Sequence, residues 1–175
     1  MNKAIILVDV QNDYFTGGKC ELFEIEKTAE VVASLLEESR KNGDDVIFIQ
    51  HINKNLNPLF FGEGTKGCEI HESVIPLPEE KIFVKHTPNS FYETGLDEYL
   101  RNQGISELII CGMMSHMCID TTVRAAKNLG YKVTLIENAC TTKPLNFGGE
   151  IFSATTVHHI FMAALNGTFC KICKH

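Results

Sequence analysis

Three side chains with chemical potential stand where simple packing would not put them. Asp9 is a carboxylate near the end of an otherwise apolar run, Ala4 to Val10. Lys85 closes the short stretch Lys81 to Val84. Cys118 follows Leu108-Ile109-Ile110 and Gly112 by a connector, Met113 to Met117, and opens a helical pattern that runs to Gly130. A thiol has an ordinary pKa of about 8.5 and needs activation at neutral pH. A carboxylate can accept its proton, while a lysine and a helix N-terminus favour the anion. Free N–H groups at the helix mouth can receive an oxyanion. Each residue also has an ordinary reading: a capping acid, a surface lysine, a buried inert cysteine. All three falling at the ends of strands points to one nucleophilic site.

The elements that must position them alternate. Ala4 to Val10 reads as a strand buried on both faces. Gln11 to Lys19, with Asp13, Phe15 and Gly17-Gly18, reads as a loop. Ile25 to Lys41 carries Ala29, Val32, Leu35 and Leu36 on a helical stripe and stops at Lys41-Asn42-Gly43. Val46 to Gln50 is a second strand, and Lys81 to Val84 a third. Between them, Asn53 to Pro78 has prolines at 58, 76 and 78 and glycines at 62, 64 and 67, the pattern of a substrate loop or lid. Leu96 to Arg101 is a short helix ahead of the central strand. The helix after it shows Cys118, Thr122, Ala125, Ala126 and Leu129 on its inner side and Asp120, Arg124 and Lys127 outside. Lys132 to Ile136 is a strand, Pro144 to Gly149 belongs to a loop, Glu150 to Leu165 is a helix and Thr168 to Ile172 a last strand. Alternating βα units predict an α/β fold, a parallel sheet covered on both faces, with ligands bound at the carboxyl ends of its strands.

The chain of 175 residues predicts one domain, 1–175, with a substantial core. Its 44% apolar and 22% charged residues are those of a globular protein. A net charge of −6 without a Lys/Arg cluster argues against nucleic acid. No membrane span or signal peptide is read, and seven scattered cysteines fit reduced thiols, so a cytoplasmic location is expected.

Longer motifs carry a resemblance. Ile6-Leu7-Val8-Asp9-Val10-Gln11-Asn12-Asp13-Tyr14-Phe15, Lys85 with Ser90-Phe91, Cys111 through Ile119, and Val157-His158 with Met162 through Phe169 span nearly the whole chain. In this order they resemble the isochorismatase-like cysteine hydrolases, relatives of nicotinamidases and N-carbamoylsarcosine amidohydrolases. The resemblance implies a three-layer αβα fold around a six-stranded, mostly parallel sheet. It implies a catalytic triad of Cys118, Asp9 and Lys85, with a cis peptide at Met113-Met114. It further implies hydrolysis of a small amide through a thioester, with the N–H groups of Met114 and Cys118 as oxyanion donors. Phe15, Phe91 and Gln11 are the expected substrate-binding residues, no cofactor is called for, and a dimer or tetramer is expected.

Departures from the family sharpen this expectation. Nicotinamidases carry an Asp-x-His pair after the second strand to hold a metal, whereas this chain reads Gln50-His51-Ile52-Asn53. Without that carboxylate, His51, His71 and His86 are expected not to form a metal site, and nicotinamide ranks below other small amides. Enzymes of the family that cleave isochorismate do not use a cysteine, so Cys118 favours an amide. Two further readings are weaker. Cys118 to Arg124 fits C-x5-R, a phosphatase loop, but Ile119 to Val123 lacks glycine and includes Asp120. Cys170-x-x-Cys173 lacks the second pair a binding or redox module would need. Cys118 is expected to be the thiol that iodoacetamide modifies first.

Overall fold

In the first strand, β1 (Asn2–Val8), successive apolar side chains enter opposite faces of a sheet. Ile5 and Leu7 pack with α1 (Ile25–Asn42) on one side. Ala4, Ile6 and Val8 face the other, among residues of α2 (Leu96–Asn102), α3 (Asp120–Asn128) and α4 (Ala154–Leu165). The protein is described here from a computed structural model, which covers residues 2–175. The other strands are β2 (Asp45–His51), β3 (Lys81–Lys85), β4 (Ile105–Met113), β5 (Lys132–Thr141), β6 (Leu145–Phe147), β7 (Glu150–Phe152) and β8 (Lys171–Cys173). Six of them form one sheet in the order β3-β2-β1-β4-β5-β8, and every described pairing within it is parallel. The three-layer αβα expectation holds. Each fully buried Ile or Leu contributes about 1.5–3 kcal/mol, so the double-faced strands dominate the core.

Strand order reverses at β1, whose neighbours are β2 and β4. The chain first moves outward through β2 to β3, then crosses back to β4. A crevice at the carboxyl ends follows from this reversal. Asp9 comes directly after β1, Lys85 ends β3, and Cys118 lies in a π-helical turn, Ser115–Ile119, after β4. At the reversal β1 and β4 run unusually close. Val8 pairs with Gly112, whose φ is +119°, and a Cβ there would overlap the Val8 carbonyl.

Several boundaries differ from the sequence expectation. The helix after the central strand starts at Asp120, not Cys118, and its buried face is Thr122, Val123 and Ala126, with Leu129 more exposed. The π turn inserts an extra residue and rotates the face. β5 continues to Thr141 because a register shift between Ile110 and Gly112 lets it pair again beside the site. Residues 145–152, read as loop and helix start, form the antiparallel β6–β7 hairpin. Gly148 and Gly149 at its tip have φ of +62° and +83°, the signs of a type I′ turn. The last helix then starts after Ser153, whose side chain accepts from Thr156 N–H at 3.1 Å. Among the described residues no helix is long and apolar enough to cross a membrane.

The close approach at Gly112 gives a direct test. Gly112→Ala must strain a positive φ and push β1 from β4, so a loss of roughly 3 kcal/mol or more is expected from urea unfolding. A variant within experimental error of the parent would show that the two strands can separate without cost.

Candidate functional site

Four elements deliver the site. The Asp9 N–H still bonds to Ile49 O of β2 at 3.0 Å, but its φ of +54° turns the chain off the strand. Lys85 is the register partner of His51, which ends β2. Both side chains therefore arrive at the same level beside Asp9. Cys118 is carried by the π turn, in which the Met114 carbonyl accepts from Met117 N–H at 3.0 Å and Ile119 N–H at 3.2 Å. The Met113-Met114 bond is cis. Ser115 ties this turn down, with its hydroxyl bonding to Thr141 O at 3.2 Å and to His158 Nδ1 of α4 at 2.8 Å. Ser90 bonds to Thr122 Oγ1 of α3 at 2.8 Å, which holds the segment after β3 against the same helix.

The three sequence-predicted groups meet. Lys85 Nζ is 2.8 Å from Asp9 Oδ2 and 3.0 Å from Cys118 Sγ. Asp9, Lys85 and Cys118 are only 0%, 1% and 3% exposed, so their charges act with little screening. Among the described residues neither Asp9 oxygen has a hydrogen-bond partner, and the Lys85 ion pair is its close charged contact. Burial pushes the Asp9 carboxyl up, but Lys85, and then His51 and Cys118, outweigh it and hold it below its ordinary value. Burial likewise opposes the Lys85 charge, and Asp9 and Cys118 restore it and raise its pKa. For Cys118, burial and then the Asp9 carboxylate push the thiol far up, against a smaller opposing pull from Lys85. The resting site is therefore carboxylate, ammonium and neutral thiol. The expectation that Lys85 and a helix N-terminus favour the anion left out this desolvation and the negative charge of Asp9.

The remaining expected site residues have other contacts. Gln11 spends its amide on backbone: Nε2 donates to His51 O at 2.9 Å and Cys68 O at 2.7 Å, and Oε1 accepts from His51 N–H at 2.8 Å. Phe15 stacks on His71 at 3.4 Å between ring centroids. Phe91 stacks on Tyr131, which precedes β5 at the opposite end of the sheet from Asp9. The aromatic groups beside the triad are instead Tyr14 and Phe61. The Phe61 ring lies 4.6 Å from Tyr14 and 5.9 Å from His51. Burial, then the nearby Cys118 and Asp9, push the Tyr14 phenol well up. Phe60-Phe61 was the available signal, an aromatic doublet in a loop otherwise rich in proline and glycine.

His51, His71 and His86 do not gather. His71 Nδ1 bonds with Ser73 and His86 Nδ1 with Ile52 O. The donors Asp9, His51 and Cys118 do lie within 4.8 Å of one another. Lys85 Nζ, however, is within 3.1 Å of each residue, and a metal ion there would face an ammonium at contact distance. The donor set does not fit a metal while Lys85 is charged. Arg124 is also out of reach of a phosphatase role, since it pairs with Asp120 at 3.0 Å and lies over the Phe169 ring. All seven cysteines are free thiols.

Comparisons with known proteins show the family and the fold. The model of the isochorismatase domain matches residues 3–155. YddQ of Bacillus subtilis strain 168, an uncharacterised isochorismatase family protein, is 47% identical over 172 residues, covering 98% of this chain and 96% of YddQ. A nicotinamidase of Escherichia coli K12 is 25% identical, with 79% of this chain and 82% of the relative covered. A crystal structure from Oleispira antarctica, described as an isochorismatase hydrolase, superposes with a TM-score of 0.94 at 39% identity, covering 99% of this chain and 93% of that one.

The opposing influences on Cys118 predict opposite effects of two substitutions. Asp9→Asn removes a group that raises the thiol pKa and leaves Lys85, so the midpoint of the pH profile for Cys118 alkylation should move to lower pH. Lys85→Met should move it to higher pH. Iodoacetamide rates at Cys118 across pH, followed by peptide mass mapping, check both; a midpoint moved up in Asp9→Asn would mean that the carboxylate does not raise the thiol. Asp9 also links stability to pH. A carboxyl lowered in the folded state stabilises it above the ordinary carboxylate range of about 4, and that contribution is lost as acid protonates Asp9.

Proposed function

The chain belongs to the isochorismatase family of hydrolases, and on that premise we propose that it cleaves a C–N bond of a small amide with Cys118 as nucleophile. The observation that supports this most is the buried contact set of an ionised Asp9, a charged Lys85 and the Cys118 sulfur at 3.0 Å from that ammonium. A vinyl ether gives a thiol no acyl carbon to attack, while an amide does.

The chemistry follows from these groups. Substrate entry brings the carbonyl carbon to Cys118 Sγ. As the S–C bond forms, the thiol proton passes to Asp9, and Lys85 stabilises the sulfur while it carries negative charge. The carbonyl electrons move onto oxygen, which the Met114 and Cys118 backbone N–H groups receive. Collapse of the tetrahedral adduct breaks the C–N bond, and Asp9 returns the proton to the departing nitrogen. A thioester and ammonia or an amine result. Water then attacks the thioester, Asp9 takes its proton and the thiolate leaves, recovering that proton and releasing a carboxylic acid. A raised resting thiol suits this cycle, because proton transfer is coupled to attack and no exposed thiolate waits to be oxidised.

The E. coli relative is named a nicotinamidase, so nicotinamide belongs among the substrates tested. It ranks below other small amides because no carboxylate stands in Gln50-His51-Ile52-Asn53. Specificity is assigned to the segments that cover the site, 53–78 and 141–149, with Phe61 and Tyr14 nearest the triad.

Ammonia release from a panel of small amides, ureides and nicotinamide tests the reading. Cys118→Ala is expected to lower turnover at least about a thousandfold with its unfolding midpoint little changed. Acid quenching during turnover of the parent should trap a Cys118 adduct whose mass equals the acyl part. Undiminished hydrolysis by Cys118→Ala would remove the nucleophile assignment.

A further inference from the structure

His51 stands beside the nucleophile with one edge of its ring committed and the other open. Lys85 Nζ donates to His51 Nδ1 at 3.1 Å, to the Thr87 carbonyl at 3.1 Å and to Cys118 Sγ at 3.0 Å. An ammonium has hydrogens to give and no lone pair, so Nδ1 presents its own lone pair and the ring proton sits on Nε2. Among the described residues Nε2 makes no hydrogen bond. It is not one of the buried side-chain atoms left without a partner either, so this N–H keeps accessible surface. A ring nitrogen of His51 lies within 4.8 Å of Cys118 Sγ. The residue is also held firmly, because Gln11 clamps both its backbone N–H and its carbonyl. Thr87, whose carbonyl takes another Lys85 hydrogen, has a buried hydroxyl without a partner.

We propose that His51 is a specificity residue whose Nε2–H binds a second, neutral carbonyl of the substrate, so that the preferred substrates are 1,3-dicarbonyl amides. The inference rests on the cysteine-hydrolase reading above and names the substrate class of that same site. A molecule whose scissile carbonyl sits on Cys118 Sγ covers the His51 ring and displaces solvent from Nε2. A simple aliphatic amide leaves that N–H buried without an acceptor, which hydrogen-bond energetics penalise. A second carbonyl supplies the acceptor. The ring stands so near the sulfur that the two carbonyls must be close, with a single atom between them.

The charges around the ring make the acceptor a neutral one. Asp9 and Lys85 already balance each other at 2.8 Å, and Asp9 Oδ2 is 3.9 Å from His51 Nδ1. A substrate carboxylate would set a second anion beside Asp9 in a site with little screening. The unpartnered groups at the ammonium, an imidazole N–H and the Thr87 hydroxyl, are both uncharged.

Binding to the full chain carrying Cys118→Ala, which has no nucleophile to turn the probes over, tests this. Malonamide and 3-methylbutanamide have nearly the same shape, and only the first has a second carbonyl. Malonamide should bind about tenfold or more tightly in calorimetric or NMR titration, and malonamate, its anionic counterpart, more weakly than malonamide. Adding His51→Leu should bring the two neutral amides within about threefold of each other by weakening malonamide; a merely structural role would weaken both alike. Long-range ¹H–¹⁵N spectra of histidine-labelled protein should show His51 protonated at Nε2, with that proton moving downfield on addition of malonamide and not of 3-methylbutanamide. A bare Nε2, equal binding of the two neutral amides, a preference that survives His51→Leu, or tighter binding of malonamate overturns the proposal. So does malonamide that fails to bind at tens of millimolar. Circular dichroism establishes that the His51→Leu protein is folded; if it is not, the spectra and the binding ratio with His51 in place decide. None of these measurements reads hydrolysis, so absent amide turnover in the parent with the binding preference intact counts against the proposed reaction alone.

Discussion

The buried ion pair of Asp9 and Lys85 is the constraint on which the site depends. Two charges removed from water cost several kcal/mol each, and their attraction repays this only with close geometry and further partners. Here the geometry is set by three neighbouring parallel strands ending at the same level. Asp9 turns off β1 through a left-handed backbone, His51 ends β2, and Lys85 ends β3. Lys85 reaches past β2 to the carboxylate, which places its ammonium between His51 and Cys118. Displacing any of these strands by a residue would leave a charge buried and unpaired.

A second carboxylate organises the cover over this pair. Asp13 is buried and accepts from Phe61 N–H at 2.6 Å and Lys19 N–H at 3.3 Å. Gly67 lies against it so closely that a Cβ would overlap the carboxylate. Gln11, two residues earlier, bonds to Cys68 O. One short segment after β1 thus supplies the Asp9 carboxylate and the anchors for the irregular connection that closes over it. The aromatic wall of Tyr14 and Phe61 is a product of these polar anchors as much as of apolar packing.

The electrostatics also separate reactivity from nucleophilic competence. Cys118 sits beside a lysine, yet burial and Asp9 keep the resting sulfur protonated. In the proposed reaction one proton passes between sulfur and carboxylate, so the total charge near Lys85 stays the same.

Much of this was legible in the residues. The double-faced apolar strand before Asp9, the lysine closing a short strand and the cysteine after Gly112 specified a parallel α/β sheet with three chemical groups at its carboxyl edge. Local pattern suffices there, because side-chain period and strand polarity are local properties. Strand order, the π turn before α3 and the Gly148-Gly149 hairpin depended on pairings between distant segments. So did the partners of individual polar groups. Gln11 stood beside the motif and was expected to touch substrate, but it binds backbone forty residues away at His51. His51 was considered only as a metal ligand, and the register of β2 with β3 put it against Lys85. The sequence by itself determined which chemical groups the protein has and at which edge they lie. Only the tertiary structure decided their charges and contacts, because desolvation and the distances between groups arise when separate strands close around them.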